Sequence, residues 1–296
     1  MLNGQPISCI QSPETGRELT FNKLKPASKK RKILIIGGGP AGMKAATVAA
    51  ARGHGVKLIE ASSKLGGQIN LAEKLPGRSE FGGITTNLAN KLQRQNVEIK
   101  LNTKVSVDFV MQEAPEVVIL ATGGRSFEPL IDGRENAHVV TAWQILEGKA
   151  NVGSRVAIAD WRCDWVGLGL AELLARQGCH VRLACNGMVP GQTVNQYVRD
   201  NWLGTLHKLN VETFTHLRLH GIDSEDAYFQ HTLSGEPVIL NDVDTLVTAF
   251  GAGSSNTLEK ELKNNFNSKL HVIGDALSPR TVEEAILDGL KASTKI

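Results

Sequence analysis

Residues 32–42, KILIIGGGPAG, constrain this chain more than any other stretch. Ile33, Leu34, Ile35 and Ile36 read as a buried strand running into a glycine turn. A helix is expected to start near Pro40, lined with the small residues Ala45, Ala46, Ala49 and Ala50. Gly37, Gly39 and Gly42 fill the three positions of G-x-G-x-x-G. In that pattern the first glycine permits a tight turn, the second lets backbone approach a pyrophosphate, and the third lets helix and strand pack closely. The helix start then offers free N–H groups and the positive end of a dipole to phosphates. A second strand over 56–59 ends at Glu60. That carboxylate stands close to the roughly 20-residue spacing expected of the group that hydrogen-bonds an adenosine ribose. Glycines alone are a weak signal. Strand, glycines, small-residue helix, second strand and terminal Glu together point to an adenine dinucleotide or a close relative.

The chain is 296 residues long, enough for two domains with cores of their own. No run of about 18 apolar residues is present to span a membrane. The opening residues lack the basic and apolar regions of a signal peptide, so a cytoplasmic location is expected. Four cysteines, Cys9, Cys163, Cys179 and Cys185, form no C-x-x-C and no disulfide framework. A net charge of +3 is too small to argue for nucleic acid. The run Lys29, Lys30, Arg31, Lys32 reads as a solvated lead-in to the first strand.

Residues 1–27 carry Pro6, Pro13, Gly16 and Pro26 with little periodicity and read as an extended arm. The first nucleotide-binding unit is expected over 28–146 and again over 243–296. Beyond Glu60, Gly66, Gly67 and Gln68 allow backbone to run close to a cofactor. Residues 75–81, LPGRSEF, read as a loop opening a helix over 83–95, and 97–101 and 104–107 as short strands. A buried strand over 117–120 ends in Ala121, Thr122, Gly123 and Gly124, small residues where parallel sheets bind ligands. Residues 147–242 repeat the β-α-β plan, with strands over 155–159 and 181–185 around a helix over 166–177. The strand 243–249 reads as the return to the first unit. A strand from Leu270 ends in Gly274 and Asp275, and a helix over 282–292 closes the chain. The expected fold is therefore α/β, with two Rossmann-like dinucleotide-binding domains, the second inserted into the first.

Four landmarks fall in order: G-G-G-P-A-G with Glu60, G-G-Q, A-T-G-G and I-G-D-A. This order resembles the two-dinucleotide-binding-domain flavoproteins of the glutathione reductase type. The resemblance implies that the glycine loop and Glu60 hold the ADP half of FAD, and that the late Gly-Asp meets the ribitol and pyrophosphate. The candidate cofactor-binding residues are Gly37, Gly39, Pro40, Ala41, Gly42, Glu60, Gly67, Gln68, Ala121, Thr122, Gly123, Gly274 and Asp275. The redox-active Cys pair of the disulfide reductases is missing, which sets that branch aside.

The phrases CIQSPETGRE, LPGRSEF, VTAWQILEGK and GDALSPR resemble a narrower group. These are the trimethylamine dehydrogenase and 2,4-dienoyl-CoA reductase flavoenzymes, including N-methyl amino acid demethylases. In that group an FMN-binding barrel precedes a cysteine-rich segment that holds a [4Fe–4S] cluster. Cys9 stands at the place of the last cluster ligand, with Ser12 where Asn is usual. Such a cluster needs four thiolates, and the other three cysteines lie far along the chain. Three readings stay open. Cys9 completes a cluster whose other ligands sit on a partner barrel subunit, it is a relic, or the chain is a fragment of a longer one.

The second unit's turn, ADWRCDWVG over 159–167, lacks the glycines that backbone approach requires. Asp160 and Asp164 put negative charge where a pyrophosphate would lie, Trp161 and Trp165 add bulk, and the next strand ends at Cys185 and Asn186 without a ribose carboxylate. NAD(P)H is not expected as the electron partner, the competing reading being an unusual mode through Arg162 or Arg182. The two tryptophans mark either a protein interface or core packing. Cys163, Cys179 and Cys185 read as small apolar residues, and His216, Arg218 and His220 as one solvated strand face. No side chain reads as a general acid, base or nucleophile. The expectation is an FAD-binding or ADP-binding subunit of a flavin and iron–sulfur dehydrogenase. The resemblance implies N-methylated amines, betaines or N-methyl amino acids as substrates, oxidised at FMN in the barrel. It also implies electron flow to this subunit's flavin or to an electron-transfer flavoprotein. The alternatives are a stand-alone NAD(P)H-dependent FAD reductase and a non-catalytic nucleotide-binding scaffold.

Overall fold

A computed structural model describes residues 8–21, 23–266 and 268–296. The first part of the expected arm, residues 1–7, lies outside them. The chain divides into two compact units. Among the described residues the first comprises 8–70, Glu80–Arg125 and Gly253–Ile296; the second comprises Leu71–Ser79 and Ser126–Ala252.

The first unit is built on five parallel strands in the order Lys269–Val272, Val117–Leu120, Lys32–Ile36, Gly55–Ile59, Glu98–Lys100. The two central strands are apolar almost throughout because helices cover both faces. On one face lie the helices Pro40–Ala51, Gly82–Arg94 and Val282–Thr294, packed around Ile33, Ile35, Met43, Leu88, Leu92 and Ile286. The helix Gly82–Arg94 buries Ile84, Leu88 and Leu92, one apolar stripe at four-residue spacing. On the other face Val110 of the helix Val107–Glu113 and Leu262 of the helix Thr257–Asn265 meet Leu34, Ile36 and Val118.

The expected strand over 104–107 is absent. Ser106 instead caps the helix Val107–Glu113, its side chain accepting the Phe109 N–H at 3.2 Å. Asp108 in the first turn favours the same outcome through the helix dipole. A local cap prevails there over a short alternation of apolar residues. The arm is docked: Ile10 packs on the unit's core, Pro13 is buried, and Glu14 pairs with the buried Lys44 at 2.7 Å.

The second unit repeats the plan, with parallel strands in the order Val139–Thr141, Thr245–Ala249, Arg155–Asp160, His180–Cys185, Glu212–Phe214. This corrects both expected boundaries. Thr245–Ala249 does not return to the first unit; it is fully buried between Val139–Thr141 and Arg155–Asp160. Residues 126–146 also belong here, because Val139–Thr141 needs that strand as its partner. Leu75, read as part of a first-unit loop, packs into the second core against Gly169. An antiparallel sheet of Leu217–Ile222, Ala227–His231 and Pro237–Leu240 completes the unit. His216 precedes the strand with φ of +57°, and a register shift separates Leu219 from Gly221. The expected regular face of His216, Arg218 and His220 is thereby broken. Among the described residues no helix is long and apolar enough to cross a membrane.

The helices Pro40–Ala51 and Val282–Thr294 touch backbone to backbone. A Cβ on Gly289 would stand 2.4 Å from the Ala41 carbonyl oxygen, and Ser293 Oγ donates to the Ala45 carbonyl at 2.9 Å. Gly289→Ala should therefore force the helices apart and cost about 1–3 kcal/mol, the usual range for overpacking. Thermal denaturation of the variant checks this. An unchanged melting temperature would show that the contact is slack.

Candidate functional site

At the carboxyl ends of the first unit's strands the ladder runs one residue beyond each strand. Gly37 N–H donates to Ile59 at 2.8 Å, Ala121 N–H to Ile36 at 2.8 Å, and Ile273 N–H to Leu120 at 2.9 Å. Gly37 turns at φ of +110°, and a Cβ there would lie 2.1 Å from the Ala121 carbonyl oxygen. A Cβ on Gly42 would lie 1.9 Å from the Gly37 carbonyl oxygen. These two glycines are demanded by the fold itself. Gly39 differs: its φ is −75°, and a Cβ would meet only the Gly67 Cα, at 4.0 Å. It is the residue before the helix Pro40–Ala51, and no side chain caps that helix start. The leading N–H groups of the helix therefore face a space that protein leaves open to an anion.

The other predicted residues gather around this turn. Glu60 Oε2 accepts the Gly38 N–H at 2.6 Å and Oε1 accepts the Ser62 N–H at 2.7 Å, so the carboxylate is held in place by backbone. Gly66 N–H donates to the Gly38 carbonyl at 2.9 Å, and a Cβ on Gly67 would stand 3.1 Å from the Gly39 Cα. Gln68 Nε2 donates to Asp275 Oδ2 at 2.8 Å, joining two motifs far apart in sequence. Gly274 adopts φ of +60° against the start of the Pro40–Ala51 helix, where a Cβ would approach the Ala41 side chain to 2.8 Å. Thr122 Oγ1 donates to the Ser255 carbonyl at 2.6 Å, and Ser255 N–H returns to the Gly123 carbonyl at 3.0 Å.

Three features were not singled out in the sequence. Gly38 is sterically required, since a Cβ would stand 2.6 Å from the Leu65 side chain; the run of three glycines was the available signal. Asp288 accepts the Gly274 N–H at 3.2 Å and pairs with Arg280, tying the Gly-Asp turn to the closing helix. Ser255 pins Thr122 from a loop with no motif of its own. Cys9 is partly buried, and among the described residues no group of three or more His, Cys, Asp or Glu side chains is arranged to hold a metal.

The second unit's corresponding turn is closed by its own side chains. Asp164 caps the helix Trp165–Arg176, its carboxylate accepting the Val166 N–H at 2.9 Å. Asp160 ends the strand at 1% exposure, and its Oδ1 accepts the Cys163 N–H at 2.8 Å. Asp160 Oδ2 has no partner and lies 2.1 Å from where a Gly167 Cβ would be. Gly167 thus packs against a carboxyl group, as Gly42 packs against the Gly37 carbonyl. Trp161 stacks on Phe250 at 5.9 Å between ring centroids, and the Arg78 guanidinium lies 3.0 Å over the Trp165 ring. The strand His180–Cys185 is followed by Asn186, so no carboxylate matches Glu60.

Two parallel α/β units, one with an open glycine turn and one with a self-capped turn, define a nucleotide-binding protein of the two-Rossmann-domain class. The chain belongs to the pyridine nucleotide-disulphide oxidoreductase family, which residues 31–276 match. It is 31% identical to the N,N-dimethylglycine/sarcosine dehydrogenase of Chromohalobacter salexigens, covering 97% of this chain and 47% of that protein. It is 30% identical to a probable N-methylproline demethylase of Rhizobium meliloti, covering 97% of this chain and 47% of that one. A solved 2-naphthoyl-CoA reductase superposes with a TM-score of 0.90 at 31% identity, over 98% of this chain and 43% of its own. The chain spans about half the length of the curated relatives it matches. It is a flavoprotein oxidoreductase domain related to the N-methyl amine and amino acid dehydrogenases.

Burial first, then the neighbouring Asp164 charge and Cys163, push the Asp160 carboxyl well above its ordinary pKa. The folded chain then keeps a proton that the unfolded chain loses above a pH of about 4. Asp160 therefore makes stability fall as pH rises from that value, by up to about 1.4 kcal/mol per pH unit until the folded group itself ionises. Asp160→Asn keeps the acceptor for Cys163 and removes the titration. The melting temperature of the variant relative to the native chain should climb between pH 4.5 and 7.5. A constant difference across that range would mean that Asp160 is ionised in the fold.

Proposed function

We propose that the first unit binds FAD, or its ADP half, and that this chain is the electron-relay half of a flavin and iron–sulfur dehydrogenase. The carrying observation is the contrast between the two turns. At Gly39 the helix start lacks a capping side chain, while Glu60, Gly67 and Asp275 converge around it. At Asp164 the equivalent helix start supplies its own anion. The residues present fit the cofactor: the N–H groups of Gly39, Ala41 and Gly42 would face the pyrophosphate, Pro40 having no N–H to offer, the Glu60 carboxylate would take a ribose hydroxyl, and Asp275 with Gln68 would meet the ribitol side. FAD supplies the redox chemistry, and the protein contributes position and electrostatics.

The substrate class is N-methylated amines, betaines or N-methyl amino acids, in keeping with the names of the two curated relatives. Cys9 would supply one ligand to a [4Fe–4S] cluster whose other ligands, with an FMN, would belong to a barrel partner; the cluster would supply one-electron transfer, with an electron-transfer flavoprotein as the acceptor. The docked arm supports this role for Cys9, because Glu14 with Lys44 and Ile10 on the core hold it to the first unit.

Gly39→Ala separates binding from folding. The backbone there suits any residue and the added methyl meets no close contact, so the melting temperature of the cofactor-free chain should stay the same. Cofactor affinity should fall at least tenfold, about 1.4 kcal/mol, because the methyl stands where the pyrophosphate approaches. Gly37→Ala should instead fail to fold stably. Acid extraction and chromatography of the bound nucleotide give the readout. Equal cofactor content in native and Gly39→Ala protein would sink the assignment. Adenine nucleotide without flavin would favour a scaffold role, and NAD(P)H oxidation by the chain alone would favour the stand-alone reductase.

The cluster has a separate test. The chain purified with its barrel partner should contain about four iron atoms per cluster, and Cys9→Ser should lose them. Retained iron removes Cys9 as a ligand.

A further inference from the structure

The self-capped turn of the second unit brings two cysteines together. In the parallel ladder Asp160 lies beside Cys185, and the Cys163 N–H folds back onto the Asp160 carboxyl. Cys163 is thereby set over the end of the strand His180–Cys185. Its φ is +49°, a left-handed backbone that few non-glycine residues adopt. Its carbonyl takes two hydrogen bonds from Thr193, N–H at 3.1 Å and Oγ1 at 3.0 Å, which hold the conformation.

Both sulfurs converge on one residue, Gly187. The Gly187 N–H donates to Cys163 Sγ at 3.2 Å, and Cys185 Sγ donates to the Gly187 carbonyl at 3.6 Å. A Cβ at residue 187 would stand 3.0 Å from Cys163 Sγ, so glycine leaves room for the pair. Cys163 Sγ lies 3.8 Å from the Asp160 carbonyl oxygen, which also accepts the Asn186 N–H at 3.1 Å, so the sulfur is seated over residues 185–187. The Cys185 side chain first, then the Gly187 and Asn186 N–H groups, draw the Cys163 pKa below the ordinary thiol value. The Cys163 side chain first, then burial, push Cys185 up. Cys163 is the nucleophile of the pair, with Cys185 the resolving thiol. Cys179 is elsewhere, bonded to the Gly153 carbonyl at 3.6 Å. Cys163 is 4% exposed and Cys185 is fully buried, so an oxidant that reacts there must be very small.

We propose that Cys163 and Cys185 are a peroxide-reactive dithiol that closes to an intramolecular disulfide at the end of the second unit's sheet. The Cys163 thiolate attacks one peroxide oxygen, the O–O bond breaks, and hydroxide leaves and is protonated to water. The Cys185 sulfur then displaces the sulfenic oxygen as a second water and the S–S bond forms. Two thiols lose two electrons and their two protons, and one peroxide becomes two waters. This site is independent of the flavin reading, since it rests on residues of the second unit alone.

The test uses the native full-length chain and hydrogen peroxide at near-stoichiometric concentration. Free thiols are blocked before a non-reducing tryptic digest and mass spectrometry. Trypsin cuts after Arg162, Arg176 and Arg182, so the two cysteines fall in different peptides. The expected result is a Cys163–Cys185 linked pair, loss of two of the four thiols, and full reversal by dithiothreitol. The rate should reach half its maximum below the pH of about 8.5 expected of an ordinary thiol. Cys185→Ser should leave Cys163 trapped as a sulfenic acid that a dimedone probe labels. The proposal is overturned if Cys163 and Cys185 both remain alkylatable under peroxide that oxidises Cys9, or if Cys163 pairs with Cys9 or Cys179 instead.

Discussion

A helix start is a partial positive charge with unsatisfied donors, and something must answer it. In the first unit no capping side chain among the described residues does. The Pro40–Ala51 helix begins after a glycine, with no capping side chain and a proline in its first turn. Everything nearby is arranged to keep that space clear. Gly37 and Gly42 let the turn fold tightly enough to aim the donors outward, Gly38 lets Leu65 close over it, and Gly67 passes by Gly39 without a side chain. In the second unit the same demand is met internally, by Asp164 at the helix start. One backbone plan thus yields a ligand site in one copy and a sealed turn in the other. The difference lies in whether the anion is carried by the chain.

The sealed turn has its own internal cost. Asp160 replaces the backbone carbonyl against which the third glycine packs in the first unit, and so places a carboxyl group in a dry interior with one oxygen unpartnered. Burial there raises the pKa of the group. Asp160 shapes the turn through the Cys163 N–H, and the turn in turn places the Cys163 sulfur over the end of the strand that carries Cys185.

The first unit's motifs were readable because each rests on a local steric or electrostatic need. Gly37, Gly42 and Glu60 sit in the order and spacing that strand, turn and helix impose, and the structure places them around one turn. The tie between Gln68 and Asp275 was legible only as motif order, since no spacing rule links residues so far apart. The boundary errors share a cause. Thr245–Ala249 and Val139–Thr141 are short apolar runs, and such runs carry no mark of which sheet they will join. The strand assigned to 104–107 failed because alternation over four residues is weaker than the Ser106 cap.

The sequence alone determined that two β-α-β units are present, that the first has the glycines and carboxylate of a dinucleotide site, and that the second has lost them. Those features are written in nearest-neighbour chemistry: glycine where Cβ would collide, apolar runs where both faces are covered, a carboxylate at a strand end. The tertiary structure decided which strands complete which sheet, how Asp160 is buried, and that Cys163 and Cys185 meet. Strand pairing between distant segments and the convergence of side chains on one residue depend on the packed core. A thiol that reads as a small apolar residue in the sequence becomes one of a reactive pair only when a second is folded against it.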